Sequence, residues 1–141
     1  MGMLILFILV AVTTVVIASG FKDVDVVART IYAEAGGEGL HGMRAVASVI
    51  VNRSERDRTN PAKVCLQPFQ FSCWNNRPPK KLPDISAGRQ AREIAQNVCD
   101  GMFDPIGPWT HYCRTDCRPS WRAKMTRKAI IGNHVFGVLK K

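Results

Sequence analysis

The sequence predicts an α+β domain, mostly helical, with one small β element towards its C-terminal end and an apolar helix ahead of it. Three observations carry this. Val24, Val27, Ala28 and Ile31 fall at i, i+3, i+4 and i+7, the buried face of an amphipathic helix. Met43, Val46, Ala47 and Ile50 repeat that template. Trp109–Cys113 and Ile130–Phe136 are instead rich in aromatic and β-branched residues, the second around a Gly132-Asn133 turn. A chain of 141 residues allows one such domain, at 21–141, behind a segment at 1–20.

That first segment stands apart. Leu4 to Ala18 carry no charge and only Thr13 and Thr14 as polar residues. Two readings stay open: a secretory signal peptide cleaved after Val16-Ile17-Ala18, or an uncleaved signal-anchor helix in the membrane. Both place the domain outside the cytoplasm.

The first helix of the domain starts at an Asp23 cap and is broken by Gly36 and Gly37, read as a C-terminal cap at positive φ. The second runs from about His41 to Arg53. Ser54 to Arg58 then reads as a solvated charged loop. Asn60 caps a short helix with Pro61 in its first turn, carrying Ala62, Val64 and Cys65. Gln67 to Trp74, if extended, points Gln70, Ser72 and Trp74 to one side and Phe69, Phe71 and Cys73 to the other, with Phe71 inward. Residues 75–83 form a Pro- and Lys-rich loop. A third long helix, capped by Asp84 or Ser86, reaches about Met102 with Ile94, Ala95 and Val98 on its core face. Arg118-Pro119-Ser120-Trp121 makes a turn before the closing hairpin.

A net charge of +9 calls for an anionic partner. Nucleic acid is set aside, because no helix-turn-helix, finger spacing or aromatic RNA-binding motif is present. Bacterial cell wall, with its peptide carboxylates and anionic polymers, fits both charge and export. Five cysteines in a small exported domain favour disulfides, read as Cys65–Cys73 and Cys113–Cys117 with Cys99 left over. A zinc site at His111, Cys113 and Cys117 lacks the usual C-x-x-C spacing. No metal or cofactor is expected.

Ile31-Tyr32-Ala33-Glu34-Ala35-Gly36-Gly37 is the most informative stretch. At about 100° per residue Glu34 falls beside Val27, at the edge of the apolar stripe. A carboxyl group so placed keeps its proton more readily than one in water, because burial penalises the charged form. Such a group suits general-acid cleavage of a glycosidic bond.

The motifs Tyr32-Ala33-Glu34-Ala35 with Gly37-Glu38, Ala45 to Arg53, Gln70-Phe71-Ser72-Cys73-Trp74, Thr110-His111-Tyr112, Pro119-Ser120-Trp121 and Ile131 to Phe136 occur in an order that resembles the SleB/CwlJ-type cell wall hydrolases, a family of spore cortex-lytic enzymes and phage endolysins. The resemblance spans about residues 24–137. It implies a lysozyme-like single domain and cleavage of the β-1,4 bond between N-acetylmuramic acid and N-acetylglucosamine in peptidoglycan, with Glu34 as the catalytic glutamate. Lytic transglycosylase action is favoured over true hydrolysis by a muramidase. Candidate substrate-binding residues are Glu38, Gln70, Phe71, Ser72, Trp74, His111, Tyr112 and Trp121. Of these Glu38, past the glycine break, is expected to bind backbone or a basic side chain. A second catalytic carboxylate would have to come from Glu38, Asp84, Asp104 or Asp116. Expected partners are peptidoglycan glycan strands, and the membrane through residues 1–20 if uncleaved, for a monomeric protein in the periplasm or cell wall. Two other classes remain: a non-catalytic peptidoglycan-binding module, and a membrane-disrupting protein.

Overall fold

A computed structural model describes residues 22–75 and 79–140. The signal-peptide and signal-anchor readings of 1–20 fall outside those residues. No helix among the described residues is long and apolar enough to cross a membrane.

The helix at residues 22–35 (α1) buries Val24, Val27, Ala28 and Ile31, the predicted face. Residue 22 is already helical, so Asp23 lies within the helix and does not cap it. The glycine break also differs from the expectation. Positive φ occurs at Gly39, not at Gly36 or Gly37. Gly36 is required for space: a Cβ there would sit 2.6 Å from the Tyr32 carbonyl oxygen and 2.8 Å from its ring.

The next helix, Gly39–Asp57 (α2), is the centre of the molecule. Ala45, Val46, Ala47, Ser48, Val49 and Ile50 are all buried, more than one helical face, because α2 is covered on several sides. It packs on Pro61–Leu66 (α3), on Ser86–Cys99 (α4) and on the sheet. It continues through the charged run that was expected to be a loop and ends at Arg58 in the left-handed region. Asn60 caps α3 as predicted, accepting the Lys63 N–H at 2.8 Å. The cap of α4 is the Ile85 backbone without a side-chain bond, and the helix stops at Cys99, not at Met102.

Three antiparallel strands, His111–Arg114 (β1), Thr126–Ile131 (β2) and His134–Val138 (β3), form a sheet in the order β1-β3-β2. The predicted hairpin at Gly132-Asn133 is present, and Tyr112 faces Phe136 across β1 and β3. Register slips between Thr126 and Ala129, where Arg127 takes φ of 52°. The Arg127 carbonyl there accepts the Trp109 indole N–H at 3.2 Å. Trp109, Phe136 and Tyr112 stack in sequence, with ring centroids 5.3 and 5.2 Å apart, joining the sheet to the helical core.

The sheet is held at both ends by residues of the helical layer. Ser48 Oγ accepts the Ile106 N–H at 2.9 Å, and Asn52 Nδ2 donates to the Gly107 and Trp109 carbonyls at 2.9 and 2.8 Å. These bonds deliver the chain into β1. At the far end Glu38 Oε2 accepts the Asn133 N–H at 3.3 Å, beside Gly132 at φ 55°. A Cβ on Gly132 would collide with that carboxylate. Gly132→Ala is therefore expected to cost about 2 kcal/mol, from positive φ and lost tethering together. A denaturant midpoint unchanged from wild type would contradict this.

All five cysteines are free thiols, which corrects the two expected disulfides. Cys65 is buried on α3, while Cys73 is turned towards Glu34. Cys113 lies on β1 and Cys117 beyond an exposed turn, with its Sγ 3.8 Å from Asp116.

Candidate active site

Glu34 ends α1 on the wall of a cleft of about 480 Å³ between the helices and the sheet. Its carboxylate accepts the Tyr112 hydroxyl at 2.6 Å. β1 delivers that hydroxyl because Tyr112 alternates onto the same face as Arg114 and is stacked on Phe136. Burial, and then the charge of Glu34, push the Tyr112 phenol well above its ordinary value, so it donates its proton to the bond. The Cys73 thiol is pushed up to about 12, first by burial and then by the charge of Glu34 and a hydrogen bond to it. Glu34 thus meets two protonated groups, the Tyr112 hydroxyl and the Cys73 thiol.

The segment before Cys73 is not extended. Ser72–Trp74 is a turn of 3-10 helix, and Phe69 takes φ of 62°, which breaks the expected alternation. Gln70 and Ser72 still line the cleft. Phe69 joins them at its mouth, 89% exposed where an inward side chain was expected. Phe71 is buried at 2% exposure, inward as expected, and does not line the cleft. Trp74 is turned away as well. Its indole N–H donates to Thr30 Oγ1 at 2.9 Å, since a half-buried indole needs an acceptor, and its ring lies outside the cleft.

His111 and Trp121 line the cleft with ring centroids 5.5 Å apart. His111 Nδ1 is 3.0 Å from Thr110 Oγ1. Burial, and then the cations Arg53 and Arg56, lower its pKa from 6.5 to about 4. Neutral His111 therefore offers one donor and one acceptor at neutral pH. The unfolded chain takes up this proton near 6.5 and the folded chain only near 4. The associated stability is fully present above 6.5 and is lost as pH falls through that window. A thermal midpoint followed from pH 7 to 4.5 should fall, and less steeply in His111→Gln; equal slopes would overturn this assignment.

Glu38 does not line this cleft. It is tied to the Asn133 N–H and lies 3.4 Å from His134 Nδ1, matching the expectation that it binds backbone or a basic side chain. The other carboxylates considered are elsewhere. Asp84 pairs with Arg89 and Asp116 with Arg114 on the surface, and Asp104 lies in a separate groove with Leu40 and Arg44. Among the described residues lining the cleft, Glu34 is the one carboxylate.

Sequence reasoning missed Arg53, Phe69, Cys113, Arg114 and His134 in the cleft. Arg53 is only 6% exposed and donates from Nε to the Thr110 carbonyl at 2.7 Å. Its place beside Asn52 at the end of the apolar face was the available signal. Nothing in the sequence marks the backbone reversal that exposes Phe69.

Residues 37–137 match the Cell Wall Hydrolase family. The chain is 31% identical over 125 residues to the spore cortex-lytic enzyme of Halalkalibacterium halodurans, covering 85% of this chain and 36% of that protein. It thus spans little more than a third of that relative's length. The fold resembles the catalytic domain of the germination-specific lytic transglycosylase SleB from Bacillus anthracis, with a TM-score of 0.63 and 24% identity over 82% of this chain and 93% of that one. The catalytic domain of the Bacillus cereus SleB protein gives a TM-score of 0.60 and 25% identity over 82% and 88%. By sequence and by fold, this chain belongs to the SleB/CwlJ-type cell wall hydrolases.

Proposed function

We propose that this protein is an exported enzyme that cleaves the β-1,4 bond between N-acetylmuramic acid and N-acetylglucosamine in peptidoglycan, as a lytic transglycosylase with Glu34 as its acid and base. The observation that carries the reading is the single carboxylate of the cleft, held against Tyr112. Two-carboxylate hydrolysis needs a second acid about 5–9.5 Å away, across the scissile bond. The other carboxylates considered, Glu38, Asp84, Asp104 and Asp116, lie outside this cleft.

Glu34 protonates the leaving 4-oxygen of N-acetylglucosamine as the C1–O4 bond breaks. The resulting carboxylate takes the proton of the muramoyl 6-hydroxyl, whose oxygen bonds to C1. No water is consumed, and the product is a 1,6-anhydro sugar. Tyr112 and Cys73 keep Glu34 oriented through both proton transfers. Gln70, Ser72 and neutral His111 supply hydrogen bonds to acetamido and hydroxyl groups, and Trp121 and Phe69 offer flat faces for sugar rings. The layout of a helix-end glutamate beside a small sheet is lysozyme-like. The net charge of +9 suits an anionic wall.

The deciding experiment digests purified peptidoglycan with the full chain and identifies released fragments by mass spectrometry. Anhydro-muramyl ends support the transglycosylase. Reducing ends would establish a muramidase by true hydrolysis and require a positioned water. No released sugar, with retained binding, would leave a peptidoglycan-binding module.

A further inference from the structure

The guanidinium of Arg53 is a buried cation whose needs the protein meets only in part. Nε donates to the Thr110 carbonyl at 2.7 Å, and Cζ lies 5.3 Å from the Phe71 ring centre. Nη1 is enclosed and has no hydrogen-bond partner. Burial lowers its pKa, and the nearby charges of Arg56 and Asp57 act on it in opposite senses. The side chain nevertheless forms part of the cleft wall that holds Glu34. The Glu34 carboxylate is already engaged by Tyr112 and is not among the ion-pair partners of Arg53 among the described residues.

A buried charge is costly even with an acidic residue such as Asp57 nearby, and a polar group left unpaired adds to that cost. The same arrangement favours a ligand that brings a further negative charge into the cleft. Nε is bonded to Thr110 and Nη1 is enclosed, so the part of the guanidinium that lines the cleft is a charged N–H donor, which favours a carboxylate. We propose that Arg53 forms a carboxylate-binding subsite in the cleft, selecting a carboxylate carried by the sugar bound beside Glu34. This rests on the peptidoglycan reading for its substrate, where such a carboxylate comes from the free lactyl arm of a muramoyl residue or from its stem peptide. Arg53 is then a specificity-determining residue that acts on binding, apart from the proton transfers at Glu34.

Calorimetric titration of the full chain tests this without turnover. The probes are N-acetylglucosaminyl-N-acetylmuramic acid, its methyl ester, and the same disaccharide carrying a dipeptide stem. A charge-assisted bond of this kind corresponds to roughly ten- to a hundredfold in affinity. Wild type should bind the acid that much more tightly than the ester, and Arg53→Gln should bind both alike. Arg53→Lys, which keeps the charge on a differently shaped head group, should retain part of the preference. Circular dichroism and thermal midpoints establish that each variant is folded; if Arg53→Gln fails to fold, Arg53→Lys and the acid-to-ester ratio of wild type decide. Tight binding of the dipeptide form with none of the acid would assign the subsite to the stem carboxylate. Equal affinity of wild type for acid and ester with no gain for the dipeptide, including no binding of any probe, overturns the subsite. So does a preference that survives in Arg53→Gln. Fragment release from peptidoglycan is scored separately, so a cleaving enzyme indifferent to the carboxylate sinks the subsite alone, and a selective binder that releases no sugar sinks the enzymatic reading alone.

Discussion

Glu34→Gln is expected to lower the rate of glycan cleavage by at least about a thousandfold while leaving the fold intact. A single positioned acid or base contributes about 10²–10⁴-fold, and here one group performs both transfers. Glutamine keeps the length of the side chain, and its carbonyl can still accept the Tyr112 hydroxyl that Glu34 Oε2 accepts at 2.6 Å. Fold and substrate affinity should therefore persist, which separates chemistry from stability. Tyr112→Phe provides the graded companion. It removes one hydrogen bond to a charged group, for roughly ten- to a hundredfold in rate, with little change in binding. Initial rates on soluble glycan strands, read beside thermal midpoints, check both. A Glu34→Gln protein with a tenth or more of wild-type activity would move the acid to another residue.

The second large effect falls on stability. Phe136 is 1% exposed on β3 and touches Trp109 on one side and Tyr112 on the other. Phe136→Ala should cost about 3–5 kcal/mol through lost transfer energy and the cavity left behind. That is a large share of the 5–15 kcal/mol typical of a domain, and it corresponds to a fall in melting temperature of roughly 10–20 °C. Because Phe136 is also the surface against which Tyr112 is stacked, the surviving folded fraction should cleave more slowly than wild type. Ile130→Ala serves as control: Ile130 is 72% exposed, on the opposite face of the sheet, and should move stability by less than about 0.5 kcal/mol. Similar midpoints for the two variants would show that the aromatic stack does not join sheet to helices.

Much of this arrangement could be read from the chain. Helical periodicity gave the buried face of α1 and set Glu34 at its edge, and the Gly132-Asn133 turn gave the hairpin. Periodicity could not show that α2 is covered on several sides, because Ala45, Ser48 and Val49 off the main stripe read as neutral positions. It also failed beyond Arg53, where polar residues continue a helix that hydrophobic spacing no longer marks. Arg53 itself was hidden by its type: arginine is seldom buried, and what buries it is the 57-residue-distant Thr110 carbonyl. The cysteines misled through number and compartment, whereas the position of Cys73 is set by the carboxylate beside it. Phe69, Gln70 and Trp74 were placed by an assumed strand, and one left-handed residue was enough to redistribute them.

The order of strands in the sheet sets a timetable for the nascent chain. β3 lies between β1 and β2, yet follows both in sequence. During vectorial synthesis or translocation the helices can collapse early on local contacts, but neither earlier strand has a partner until residues 134–138 emerge. Until then both are open edges, exposed to pairing with other chains. Glu34 likewise waits without a settled Tyr112, because that ring gains its partners Phe136 and His134 from β3. A cleft built this way matures last, after nearly the entire domain has left the ribosome.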